Sequence, residues 1–449
     1  MSSDKQPNQY KPLPPEDQVL PIIKKYFDLR RSDVDILRYV HAEIDLEVYG
    51  MSIKSLRRLK QKHGLVSTRQ QAHTIESIAP YVSEVRTRLP AIGAGDMVSA
   101  LWHDHGIRAP HGLVLAHDKA VDPVAVAARK RKGLKRRRFW ATGVNDVWSF
   151  DQHDKWKRFG LMLHLCVEVF SGKLLWLKVW WSNRQPPLLA SYYLEAAREC
   201  GGVCLVTQSD PGGENYGIAN PHTVIRQHLD PSLAGTIQHR WMRKGVNVKS
   251  EIKWSVFRRQ FAPGFEGLLE YGLTMDIYKP TDALHVLIFR WLVIPWMQLQ
   301  MDNYRIRSNQ KLPRKNNKKV LPHGIPDLIF ERPQDYMAAD YKVRVDEDLL
   351  DAAQEKYAPA DHPVFQLVPP IFDARVQAAY ATLGRPAVTV NTLWTIYSAL
   401  LNEVSNHLTP GEQAIVYGIS VTSDEAVDFL PELPGEYVPW PNHGAQNAG

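Results

Sequence analysis

Between Asn145 and Phe261 the chain alternates short apolar runs with segments of helical period, and this order limits its possible folds more than any other feature. VWSFD (147–151) alternates like a half-buried strand and ends in an acid. GLMLHLCVEVF (160–170) and KLLWLKVWW (173–181) are apolar runs joined at Ser171-Gly172, which predicts a β-hairpin. Pro186-Pro187 opens a helical segment that stops at Gly201-Gly202. VCLVTQ (203–208) is a buried strand that delivers Ser209-Asp210 into the loop PGGEN. Asn220-Pro221, a capping residue before a proline, predicts the start of another helix, and TIQH (236–239) a last short strand. NVKSEIKWSVFRRQF is then helical, burying Trp254, Phe257 and Phe261 while Glu251, Ser255 and Arg258 share the opposite face. The order describes an α/β unit, a mixed sheet with flanking helices.

Three acids stand at the ends of these elements. Asp151 closes the first strand, Asp210 follows the fourth, and Glu251 lies on the late helix. A ribonuclease H-like sheet brings such positions together. Magnesium takes oxygen ligands, usually a few carboxylates plus substrate phosphate, and two ions about 3.5–4 Å apart can assist both the attacking and the leaving oxygen of an in-line displacement. Each acid has a competitor. Asp154 rivals Asp151, although the alternation of VWSFD favours the latter. Asp210 precedes Pro-Gly-Gly, where an aspartate also suits a turn, with Glu214 as the second candidate there. Glu251 has Arg258 and Ser255 as possible partners on its own face. Lys155, Lys157 and Arg158 follow the first acid, and Lys249, Lys253, Arg258 and Arg259 surround the third; both sets suit either phosphate contact or solvated charge. Trp176, Trp180, Trp181, Trp241 and Trp254 read as core.

The segments VWSFDQHDKWKRFG, SNRQPPLLASYYLEAA, SDPGGEN, NVKSEIKW and DNYRIR, in this order, resemble the integrase core domain family of transposon-derived DDE recombinases, related in fold to retroviral integrases. The likeness runs from roughly residue 50 to 335. It implies metal-dependent DNA cleavage and strand transfer, with Asp151, Asp210 and Glu251 as ligands of two Mg²⁺ or Mn²⁺ ions. It also implies double-stranded DNA as partner and a homo-oligomer to hold two DNA ends. One departure is Val248-Lys249-Ser250, where the family usually carries a Gln-Arg-Ile-type stretch.

Charge fits a polyanionic partner. Residues 1–140 hold 25 Lys and Arg against 15 Asp and Glu, residues 141–330 hold 24 against 16, and the remainder holds 6 against 17. Neutralising phosphates releases counterions, which favours nucleic acid for the basic part. The densest run, RKRKGLKRRR, places Arg129, Lys130, Arg131, Lys132, Lys135, Arg136, Arg137 and Arg138 in ten residues and reads as a nuclear-import or phosphate-gripping linker within 126–144. Upstream, residues 23–70 suggest a helix-turn-helix module whose second helix offers Lys54, Arg57, Arg58 and Lys60, or equally a plain helical hairpin. Residues 71–125 form a second helical module; its histidines lack the cysteines of a mixed zinc site. Residues 1–22 read as a disordered tail and 145–335 as the catalytic core. Residues 336–449 read as an acidic, mostly helical region with an amphipathic helix over 391–407. Three cysteines cannot build a disulfide framework, and the most apolar window, 286–300, is broken by Arg290 and Pro295, so no membrane span is expected. A nuclear location follows as the expectation.

Overall fold

The computed structural model describes residues 11–128, 140–242, 247–315, 320–419 and 438–439. They fall into two compact units, one within 11–82 and 94–123 and one within 83–93 and the described residues from 124 onward.

The first unit is helical. Of the tail expected to be disordered over 1–22, residues 1–10 lie outside the described residues, and 16–22 are corrected by a helix at Glu16–Asp28, where Val19, Ile23, Tyr26 and Phe27 are buried. Its signal was present in the sequence: Pro14-Pro15 precedes an apolar stripe at helical spacing. Helix Asp33–Glu43 is capped by Ser32, whose hydroxyl accepts from the Asp35 amide. Helix Ile53–Lys62 buries Leu56 and Leu59 and ends before Gly64, which has φ 65°. Residues 44–52 connect these two helices, a longer link than the three or four residues usual in a helix-turn-helix. Helices Ala94–His105 and His111–Val121 come later in the same unit.

The second unit is built on strands β1 (Val147–His153), β2 (Met162–Glu168), β3 (Leu174–Trp180), β4 (Val206–Ser209), β5 (Thr236–Ile237), β6 (His239–Trp241) and β7 (Val438–Pro439). Five of them form one sheet in the order β3-β2-β1-β4-β6. β1, β2 and β3 are antiparallel neighbours, whereas β1–β4 and β4–β6 are parallel. This is the mixed, ribonuclease H-like sheet expected from the pattern. The predicted strand TIQH divides in two: His239 joins the sheet, while β5 pairs with β7.

One layer of the core lies between the sheet and helix Pro186–Cys200, joining Trp148 and Phe150 to Leu189, Tyr193 and Leu194. The helix expected to start at Asn220-Pro221 is corrected: it spans Tyr216–Leu229 and contains the proline. Gly217 permits the earlier start, because a Cβ there would stand 2.1 Å from the Pro186 carbonyl oxygen.

The acidic C-terminal stretch packs on this same core. Leu350, Ala353 and Tyr357 of helix Glu347–Tyr357 belong to the Trp148 cluster, and Arg198 pairs with Glu347 at 2.5 Å and Asp351 at 2.7 Å. Trp180 donates its indole N–H to the Val364 carbonyl. Helix Leu393–His407 buries Trp394, Tyr397 and Leu400, matching the predicted amphipathic segment.

Edge strand β3 is closed by side chains of the long helix Ala283–Gln310. Gln298 accepts from the Val179 amide and donates to the Leu177 carbonyl, Asn309 makes the same two-way pairing with Leu174, and Arg305 donates to the Leu175 carbonyl. The first arginine of DNYRIR, Arg305, therefore covers backbone that would otherwise invite another strand. Among the described residues, no helix is long and apolar enough to cross a membrane.

Candidate active site

Strand pleating assigns the residues of β1 to opposite sides. Trp148 and Phe150 join the core under helix Pro186–Cys200. Ser149 bonds Asn247, and His153 stacks on Trp254 with ring centroids 4.7 Å apart, so their face looks toward helix Val248–Gln260. Asp151 lies on that face, half-buried, with the Gln152 amide donating to its Oδ1 at 2.9 Å.

The field at Asp151 carries the site. Burial first, then the negative charge of Asp210, and further those of Glu251 and Asp154, push its carboxyl up to about 7 against the Gln152 hydrogen bond. Charges from the turn after β4 and from the late helix thus reach Asp151, although 59 and 100 residues separate them from it along the chain. Asp210 is half-buried, its carboxyl is raised by burial, and its Oδ1 is buried with no hydrogen-bond partner. Its backbone is tied instead, the carbonyl accepting from Ser209 Oγ and from Asn215 Nδ2. Glu251 occupies the first turn of helix Val248–Gln260 and is exposed.

The competing acids stand differently. Asp154 accepts from Asn183 Nδ2 at 2.9 Å and opens a 3₁₀ helix, Asp154–Phe159. Glu214 folds back on its own loop, where a Cβ at Gly212 would meet its carboxylate at 2.2 Å.

Residues 139–325 match the integrase core domain family. This region is similar to integrase core domains. The matched span holds β1 to β4, β6 and all three acids, and stops at the helix Pro326–Glu331. No curated protein matches the chain. The match indicates a transposase- or integrase-like protein, and integrase core domains generally bind DNA and use divalent metal ions.

The basic residues singled out from sequence differ in their surroundings. Lys155 and Arg258 are exposed, and after burial their charges are the main influence lowering His153 to about 4, which sets both beside the end of β1. Lys253 is half-buried, whereas Lys249 is buried and its charge is felt by the buried Glu168, so Lys249 does not face solvent. In the first unit Lys54, Arg57 and Arg58 are exposed; Arg57 pairs with Asp33 at 3.0 Å. Lys60 turns inward, to Asp33 at 2.5 Å and over the Phe27 ring, because Leu59 takes the buried helical position beside it. Arg129, Lys130, Arg131, Lys132, Lys135, Arg136, Arg137 and Arg138 lie outside the described residues.

The sequence reading passed over a set of amides. Gln152 Nε2 donates to the Asn215 Oδ1 at 3.3 Å, Asn215 holds the Asp210 carbonyl, and Asn183 holds Asp154. All three stand in motifs quoted above, VWSFDQHDKWKRFG, SNRQPPLLASYYLEAA and SDPGGEN, but amides carry no charge pattern to mark them.

The donor set suits a hard cation. The site presents oxygen ligands, a buried carboxylate oxygen at Asp210 without a hydrogen-bond partner, and negative charge from Asp210, Glu251 and Asp154 acting on Asp151. Among the described residues, no three His, Cys, Asp or Glu side chains already stand as a metal-holding group. Repulsion in the metal-free cluster has a consequence for stability. Asp151 titrates higher in the folded protein than the ordinary carboxylate value of about 3.9, so the fold binds its proton more tightly than the unfolded chain does. The contribution of Asp151 to stability is full below its ordinary value and is lost as pH rises through about 7. Asp151→Asn removes that slope and should stabilise the metal-free protein at pH 8 by about 2 kcal/mol, allowing for solvent screening, with little effect at pH 4. Thermal unfolding at the two pH values checks it.

Proposed function

We propose that the protein is a DDE-type DNA strand transferase that cuts the ends of a DNA element and joins them to target DNA. The observation that carries this reading is the electrostatic convergence of Asp210 and Glu251 on Asp151 within an integrase core. Asp151, Asp210 and Glu251 would hold two Mg²⁺ or Mn²⁺ ions, which when bound supply activation of the attacking oxygen and neutralisation of charge at the phosphate. Lys155 and Arg258, beside the end of β1, draw the DNA backbone toward the acids. Two in-line displacements follow. Water attacks the phosphodiester at the element end and the leaving strand departs as a free 3′-hydroxyl. That hydroxyl then attacks a target phosphodiester, releasing a new 3′-hydroxyl there. No protein nucleophile is required.

In this proposal the exposed Lys54, Arg57 and Arg58 and the run 129–138 add double-stranded DNA contacts, residues 23–70 read DNA as a helix-turn-helix, the run also directs the chain to the nucleus, and a homo-oligomer holds two ends. The test is incubation of full-length protein with duplex DNA bearing candidate element ends and Mg²⁺ or Mn²⁺, with products resolved on denaturing gels. Nicked ends and joined products are expected. Salt-sensitive DNA binding with no metal-dependent product would overturn catalysis in favour of a protein that only binds DNA.

A further inference from the structure

We infer that Asn247 is a positioning residue that holds all three acid-bearing elements in register, an inference that rests on the proposed metal-binding role of Asp151, Asp210 and Glu251. Asn247 directly precedes helix Val248–Gln260 and is fully buried. Asparagine at such a position normally turns its side chain back to cap the helix amides. Here it makes no such bond. The side chain reaches into the sheet instead.

Its Nδ2 donates to the Phe150 carbonyl at 2.8 Å, which fixes the peptide unit that supplies the Asp151 nitrogen. Its Oδ1 accepts from Ser149 Oγ at 2.5 Å and from Gln208 Nε2 at 3.4 Å, and Gln208 stands two residues before Asp210. Its own carbonyl accepts from the Glu251 amide at 3.3 Å and from Ser250 Oγ at 2.9 Å. One residue thereby touches β1 beside the first acid, β4 beside the second and the helix turn that carries the third. Ser149, Gln208 and Ser250 are buried as well, so these bonds are shielded from water.

The amide is the fitting group. It offers a donor to the carbonyl and an acceptor to the hydroxyl and the second amide, which no alkyl group supplies. A carboxylate of the same size would lose the donor and set a fourth negative charge against the Phe150 oxygen. Residues that orient metal ligands typically change metal affinity tenfold to a hundredfold when removed.

The experiment is Mn²⁺ binding to the full chain, followed by electron paramagnetic resonance and without DNA, for wild type, Asn247→Ala, Asn247→Asp and Ser149→Ala. Asn247→Ala and Asn247→Asp should bind about tenfold to a hundredfold more weakly, and Ser149→Ala, which cuts one tie, should fall between them and wild type. Circular dichroism at the assay temperature identifies variants that remain folded; should Asn247→Ala fail to fold, the other two carry the test. Folded Asn247 variants with wild-type affinity would overturn the positioning role, leaving Asn247 a structural residue only. Failure of wild type itself to bind Mn²⁺ would instead overturn the proposed function beneath it.

Discussion

Asparagine in place of Asp210 is expected to lower metal-dependent DNA cleavage by about three orders of magnitude or more, equivalent to about 4 kcal/mol of barrier, with the fold left intact. The two halves of this expectation come from the same atoms. Oδ1 of Asp210 is buried without a hydrogen-bond partner, and the residue is held in place through its backbone carbonyl by Ser209 and Asn215. The amide therefore breaks no side-chain bond that steadies the turn. It does remove a charge that pushes Asp151 upward, so the metal-free protein gains stability as it loses function. Single-turnover cleavage of end DNA and thermal unfolding of the same preparation measure both. Activity within tenfold of wild type would remove Asp210 from the site.

Trp156→Ala should destabilise the second unit by about 4 kcal/mol, in the range for deletion of a buried tryptophan, and lower the unfolding midpoint by roughly 10 °C. Trp156 is fully buried, donates its indole N–H to Glu266 Oε1 at 2.7 Å, and lies 5.9 Å from Phe257 and 6.5 Å from both Phe159 and Phe261, centroid to centroid. Truncation would leave a cavity and strip Glu266 of its donor. The 3₁₀ turn it anchors holds Lys155 beside the end of β1, so DNA contact should weaken even at temperatures where the variant is folded. Denaturant titration of wild type, Trp156→Phe and Trp156→Ala provides the scale, with the phenylalanine variant intermediate.

The elements that were legible in the sequence are those whose pattern is local. β1, the β2–β3 hairpin and helix Pro186–Cys200 follow from alternation, from Ser171-Gly172 and from Pro186-Pro187, and the family resemblance agrees with the matched span. Pro221 misled because its cost depends on what packs nearby: Gly217 lets the helix begin a turn earlier against Pro186. The acidic region looked separate because charge does not reveal the Leu350 and Tyr357 stripe that enters the main core. At the site, the three acids could be chosen from their place at element ends. Lys249 could not be placed inside, because a lysine on a basic helix reads as exposed whichever way the helix turns. Asn247 was invisible for a different reason: its side-chain partners come from two distant strands, and only the assembled sheet brings Ser149, Phe150 and Gln208 around it.

The central claim is that carboxylates from three distant segments serve one group of cations. Calorimetric titration of Mg²⁺ into the full chain at pH 8, for wild type and for Asp151→Asn, Asp210→Asn and Glu251→Gln separately, addresses it most directly. The account predicts binding by wild type and a severe loss in every single variant. Unchanged binding in any one of the three would contradict it.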